Sequence, residues 1–229
     1  MRLPSLDPRL TMLYEMVPPC RVFADVGADH AYLAIHLLAS GKTERAVISD
    51  ISRHALERAM SNIAKFSLSN RAEYIRADGL SGLSKADVVN ISGLSAETIS
   101  DILIRWRNTF RPTLILAPNR DMHIIREMLW QISYIIVKER VALSRGRYYV
   151  AVRAEYSNER DGADTSDILF GEAANQEKLD PWNQYFIWQK RVHLATSPGL
   201  PRMSEADRAA WYTKLAILDE RVASCNQSV

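Results

Sequence analysis

Glycine and cysteine are scarce in this chain, and long apolar runs are missing. Among nine glycines in 229 residues none forms a GxGxxG loop, and the glycines such a loop needs are absent after Gly27. That argues against a backbone cradle for a pyrophosphate. The two cysteines, Cys20 and Cys225, stand near opposite ends in no metal-like spacing. They read as free thiols of a reducing compartment. No Cys/His/Asp cluster has zinc spacing, so no metal is expected, and no nucleophile stands beside a base. No stretch approaches the roughly 20 apolar residues of a membrane helix. Met1-Arg2-Leu3-Pro4-Ser5-Leu6-Asp7 lacks a signal-peptide core, so a cytoplasmic protein without membrane contact is expected.

What is present is ordinary for a globular protein: 47% apolar and 24% charged residues, enough for one large domain with an appendage. The net charge of +2 is uneven, with +5 over residues 1–155 and −3 over 156–229. The first part therefore permits a polyanionic partner without demanding one.

Apolar spacing of three and four over 6–17, with Asp7-Pro8 as cap and first-turn proline, predicts an amphipathic helix closed by Pro18-Pro19. Strands are predicted at Val22–Val26, Ala46–Ser49, Glu73–Arg76, Asp87–Ile91 and Thr113–Ala117. Helices are predicted between and after them, at Ala31–Ala39, Ser52–Phe66, about 96–107 and Asp121–Trp130. Tyr134–Leu143 and Arg147–Glu155 flank Ser144-Arg145-Gly146 as a hairpin. Such alternation makes an α/β fold, a mostly parallel sheet covered by helices and closed by a C-terminal antiparallel hairpin. The organisation expected is a sheet domain over 1–156, a polar linker over 157–170, and a C-terminal helical pair over 171–229. The pair would occupy about 181–195 and 204–223.

Ligands of such sheets bind at the carboxyl ends of the strands. Here those ends carry Asp25-Val26-Gly27-Ala28-Asp29, Asp50, Asp78-Gly79, Asn90-Ile91-Ser92-Gly93 and Pro118-Asn119. Three carboxylates on three successive strands would repel a pyrophosphate. They suit a ligand with an amine, a sulfonium, ribose hydroxyls and an adenine amino group, which S-adenosylmethionine combines. Asp50, 25 residues after Asp25, suits the ribose hydroxyls. Asp78 suits the adenine amine and Gly79 lets backbone approach the ring. Asp25 and the Gly27 turn would lie beneath the methionine end. Asp29 has two readings, a carboxylate facing the transferred methyl or an N-cap of the following helix. His30 reads as a hydrogen-bonding or packing residue, and His36, His54, His123 and His193 as structural.

Leu6-Asp7-Pro8-Arg9-Leu10, Ala24-Asp25-Val26-Gly27-Ala28-Asp29-His30-Ala31-Tyr32-Leu33, Asp78-Gly79-Leu80 and Leu114-Ile115-Leu116-Ala117-Pro118-Asn119 together resemble the TrmK family, over residues 3–156 and more weakly beyond. These are bacterial tRNA (adenine-N1)-methyltransferases of the class I, Rossmann-like, S-adenosylmethionine-dependent type. The resemblance implies methyl transfer to an adenine N1 in the D-arm of tRNA, with Asp29 as the catalytic acidic residue. It implies cofactor contacts at Asp25, Gly27, Asp50, Ile51, Asp78, Gly79 and Ser92. Substrate contacts would be His30, Tyr32, Gly93, Leu94 and Asn119.

The family has Ile-Ala-Gly-Met-Gly-Gly after its fourth strand, where this chain has Ile91-Ser92-Gly93-Leu94-Ser95-Ala96. If the two trailing glycines make room for the target base, their replacement narrows the pocket or shifts the substrate. The alternatives are therefore another RNA or small-molecule substrate, or an inactive protein that binds cofactor or RNA. Trp182, Tyr185, Phe186 and Trp188 either stack bases or pack helices. Arg105, Arg107, Arg111, Arg145, Arg147 and Arg153 either line a phosphate track or are solvated. The oligomeric state is left open.

Overall fold

The computed structural model describes residues 3–106, 110–158, 164–178 and 180–226. Asp7 caps α1 (Pro8–Met16) by accepting from the Leu10 amide at 2.9 Å, with Pro8 supplying the first-turn geometry. There follow β1 (Cys20–Val26), α2 (Tyr32–Ala39), β2 (Thr43–Asp50), α3 (Arg53–Ala64), β3 (Ala72–Arg76) and β4 (Val88–Ser92). Next come α4 (Ala96–Arg105), β5 (Thr113–Ala117) and α5 (Met122–Gln131), then the hairpin of β6 (Tyr134–Ser144) and β7 (Arg147–Tyr156). Ser52 and Ser95 cap α3 and α4 through their hydroxyls.

The seven strands form one sheet in the order β3-β2-β1-β4-β5-β7-β6. β1 to β5 are parallel, and β7 joins β5 antiparallel, as the alternation predicts. The chain first steps outward from β1 to β3, then crosses back to β4. With right-handed crossovers, that reversal puts α4 and α5 on the opposite face from α2 and α3. It also opens a crevice at the carboxyl ends of β1 and β4. The core cluster joins Leu13 and Met16 of α1, Ile35 and Leu38 of α2, and Ile63 of α3 to Phe23 and Ile48 of the sheet.

The expected linker over 157–170 lies partly outside the described residues, at 159–163. Its remainder holds α6 (Thr165–Phe170), capped by Asp164. Arg126 of α5 explains why this short helix stays with the sheet. The guanidinium is buried, bonds both oxygens of buried Glu139 at 3.0 and 2.9 Å, and donates to the Ile168 and Leu169 carbonyls. Residues 1–176 accordingly form one compact unit and 177–229 a second. The first unit thus runs twenty residues past the sheet domain expected over 1–156 and takes in α6, and the second begins six residues after the expected 171. The second unit pairs α7 (Trp182–Leu194) with α8 (Glu205–Asn226). Trp182, Tyr185 and Phe186 are buried and packed on one another, whereas Trp188 is 39% exposed. Among the described residues no helix is long and apolar enough to cross a membrane, and no group of three His, Cys, Asp or Glu could hold a metal.

Candidate active site

At the carboxyl ends of β1 and β4 lies a cavity of about 280 Å³, lined by residues of α1, of the β1–α2 turn and of the turn after β4. Of the candidates read from the sequence, it gathers Asp25, Gly27, Asp29, His30, Tyr32, Ser92, Gly93 and Leu94. Arg9, Leu10 and Asn90 join them.

The β1–α2 turn is strained. Gly27, Asp29 and Ala31 have φ of 73°, 41° and 55°, a region that side chains other than glycine's enter at a cost. Ala31 is the N-cap of α2, and no side chain bonds the helix start. The capping reading of Asp29 is therefore set aside. Asp29 Oδ1 instead accepts from Arg58 Nε at 2.9 Å and from Arg58 Nη2, and Oδ2 lies 3.4 Å from His30 Nε2. The His30 ring stacks on Tyr32, with centroids 5.4 Å apart and planes at 11°. Both rings line the cavity and are partly exposed. The His30 ring thus packs on Tyr32 beside the Asp29 carboxylate.

Asp25 differs from Asp29 in every respect. It is 4% exposed and accepts from Asn90 Nδ2 at 2.7 Å. Burial pushes its carboxyl up to about 6, against the pull of the Asn90 bond. One cavity therefore holds a buried, proton-sensitive carboxylate and an exposed, ion-paired one.

The remaining candidates lie apart. Asp78 lines a second cavity, of about 440 Å³, where Arg105 Nη1 reaches its carboxylate at 3.2 Å. Asp50 accepts the Ser52 amide at 2.8 Å and Ile51 is 65% exposed; neither lines either cavity. At Gly79 an added Cβ would meet Ile102 carbons at 2.8 and 2.9 Å, so this glycine serves the packing of α4. Asn119 straps the turn after β4: its Nδ2 donates to the Gly93 carbonyl at 2.7 Å and its amide to that of Leu94 at 2.9 Å. Ser95 and Ala96 do not line the 280 Å³ cavity; Ser95 caps α4 with φ −72°, and Ala96 is buried.

The basic residues scatter. Arg105 is taken by Asp78, Arg111 lies over the Tyr156 ring, and Arg153 lies 3.6 Å from Glu155. Arg145 lies in the β6–β7 turn and Arg147 opens β7, and Arg107 lies outside the described residues. His36 Nε2 meets the Pro4 carbonyl at 2.7 Å and His193 Nε2 the Trp211 carbonyl at 2.9 Å, both structural as expected.

A family model described as a methyltransferase domain matches residues 6–152. The tRNA (adenine(22)-N(1))-methyltransferase of Bacillus subtilis strain 168 is 31% identical over 193 residues, 79% of this chain and 81% of the relative. This chain belongs to the TrmK family of tRNA (adenine-N1)-methyltransferases. Its TrmK-family fold is matched by M. capricolum TrmK in complex with S-adenosyl-homocysteine, at TM-score 0.81 and 22% identity, over 97% of this chain and 99% of that one. The B. subtilis M1A22 tRNA methyltransferase TrmK also matches at 0.81, with 23% identity over 96% and 100%. Asp29 is visible in the TrmK-like turn of the sequence, whereas its partner Arg58, 29 residues on, carries no local signal. Arg9 belongs to the Asp7-Pro8-Arg9-Leu10 motif ahead of the first strand, and α1 carries it to the cavity.

Proposed function

We propose that the protein transfers a methyl group from S-adenosylmethionine to N1 of an adenine in tRNA, in the cavity at the carboxyl ends of β1 and β4. The carrying observation is the pairing of a buried Asp25 and an exposed Asp29 in that cavity. The name of the Bacillus subtilis relative and the S-adenosyl-homocysteine held by M. capricolum TrmK support the same reading.

The residues fit the cofactor. An amino-acid end needs an anion for its ammonium and a cation for its carboxylate, and Asp25 and Arg9 line one cavity. Gly27 and Ser92 would pass close to that end. Asp50, whose Oδ1 already accepts the Ser52 amide, would take ribose hydroxyls with its remaining acceptor positions, and exposed Ile51 offers an apolar surface to the adenine ring. Asp78 would take the adenine amine on leaving Arg105, and Gly79 holds that loop in place through its packing on Ile102. When bound, S-adenosylmethionine supplies an electrophilic methyl on a sulfonium.

The protein's own task is to hold the target base and to accommodate charge. His30 and Tyr32 form a stacked platform suited to an unstacked base. Gly93 and Leu94, strapped by Asn119, would form the facing wall. Adenine N1 attacks with a neutral lone pair, so no proton must leave first. The product is cationic, and the Asp29 carboxylate stabilises that charge or accepts the N6 proton. Ser95 and Ala96 offer no argument for inactivity, since they stand away from the cavity lining. A tRNA substrate is consistent with work in the cytoplasm, by a site whose lining residues all belong to the unit of residues 1–176.

Calorimetric titration with S-adenosylmethionine and a transfer assay on unmodified tRNA, read by nucleoside mass spectrometry, test the reading. Cofactor binding with formation of 1-methyladenosine is expected. Confirmed binding without that nucleoside overturns it.

A further inference from the structure

Asp25 and Asn90 are register partners on β1 and β4, 4% and 1% exposed, in a sheet whose neighbouring side chains Phe23, Ile48 and Ile91 are buried and apolar. Asn90 Nδ2 donates to Asp25 Oδ1 at 2.7 Å and to Ser92 Oγ at 3.2 Å. The amide's own Oδ1 is buried without a partner. Turning the amide over would set that oxygen against the carboxylate, a worse arrangement for an ionised Asp25. The side chain therefore leaves its acceptor bare in order to donate. A residue needed only for packing at this position would be apolar.

We propose that Asn90 is a positioning residue for cofactor binding: its amide holds Asp25 as a charged acceptor where the cofactor's ammonium arrives. This rests on the reading of the cofactor given above. The other charged or titratable groups around the cavity are Arg9 from α1, Asp29 and His30 from the β1–α2 turn, and Tyr32 from the start of α2. On the β2 side, Asp25 is in register with Ile48, which carries no charge. Burial raises the Asp25 carboxyl to about 6, and the Asn90 bond opposes that rise. Without the amide, protonation would reach further into the neutral range and the ammonium would lose its partner.

The test is calorimetry from pH 5.5 to 8.5 with two ligands, S-adenosyl-homocysteine and its analogue in which hydrogen replaces the amine. Wild type, Asn90→Leu, Asn90→Thr and Asp25→Asn are compared. In wild type the affinity for S-adenosyl-homocysteine should fall below pH about 6, with the analogue flat. Asn90→Leu should move that fall to higher pH and cost about tenfold or more at pH 7.5, sparing the analogue. Asn90→Thr, which keeps a donor, should lie between. Asp25→Asn should abolish the fall, and its persistence there assigns it to another group and overturns the inference. An unchanged midpoint and unchanged preference in Asn90→Leu or, should that variant not fold, in Asn90→Thr overturns it as well. Equal wild-type affinity for both ligands sinks this inference alone, whereas failure to bind either sinks the cofactor reading with it.

Discussion

Arg58 of α3 donates through both Nε and Nη2 to a single oxygen of Asp29, Oδ1, leaving Oδ2 on the side of His30. Both side chains are about half exposed, 49% and 50%, so the pair adds little to stability. Its effect is on orientation. The carboxylate projects from a residue with positive φ, and Arg58 fixes which way it faces. Arg58→Ala should therefore lower kcat by about tenfold through misplacement of the charge. Affinity for S-adenosyl-homocysteine should stay within about threefold, and stability within roughly 1 kcal/mol. Steady-state kinetics with Arg58→Lys as partial rescue check this; an equal loss of kcat and cofactor affinity would refute it.

Asp25 ties the site to fold stability. Its carboxyl is raised in the folded protein to about 6, above its value in an unfolded chain. The group therefore contributes most below its unfolded pKa of about 4, and that contribution is lost as pH rises through about 6. Asp25→Asn should stabilise the ligand-free protein by roughly 1–3 kcal/mol at pH 7.5 and by little at pH 4. It should weaken cofactor binding at the same time. Urea unfolding at the two pH values measures the difference, and equal stabilisation at both would contradict the assignment.

Gly79 separates packing from ligand approach. With φ of 63° and Ile102 in the path of a Cβ, Gly79→Ala should cost roughly 1–3 kcal/mol. In an Ile102→Ala background, which lacks both Cγ carbons in the path of the Cβ, Gly79→Ala should cost less, recovering part of that loss. Thermal and urea denaturation read both; no recovery would place the strain in the backbone alone.

Restoring glycine at Ser95 should not help catalysis. The residue caps α4 from outside the lining of the 280 Å³ cavity. Ser95→Gly should leave transfer within about twofold and cost a few tenths of a kcal/mol. A large gain in kcat would show that the side chain narrows the base pocket after all.

The fold was readable because its signals are local. β1, β4 and β5 are short, mostly apolar runs that pass into turn residues, and Asp7, Ser52 and Ser95 announce helix starts a few residues away. α6 escaped because six residues in a polar stretch carry no periodicity; Arg126 and Glu139, from α5 and β6, hold it. The site was legible in its carboxylates and not in their environments. Asp25 and Asp29 look alike in sequence, yet one is buried beside Asn90 and the other is open to Arg58. Those partners lie 65 and 29 positions away and are brought near only by the β1–β4 register and by the placement of α3. Arg9 likewise reaches the cavity from α1, ahead of the first strand.

The central claim is that the Asp29 carboxylate serves the cationic product of methyl transfer to adenine N1. Single-turnover formation of 1-methyladenosine on an unmodified tRNA, with wild type and Asp29→Ala at saturating cofactor, tests it most directly. The expected result is a loss of roughly 10²–10³ in rate with affinity for S-adenosyl-homocysteine within a few-fold. An unchanged rate in Asp29→Ala, or a loss of rate matched by an equal loss of cofactor affinity, would contradict it.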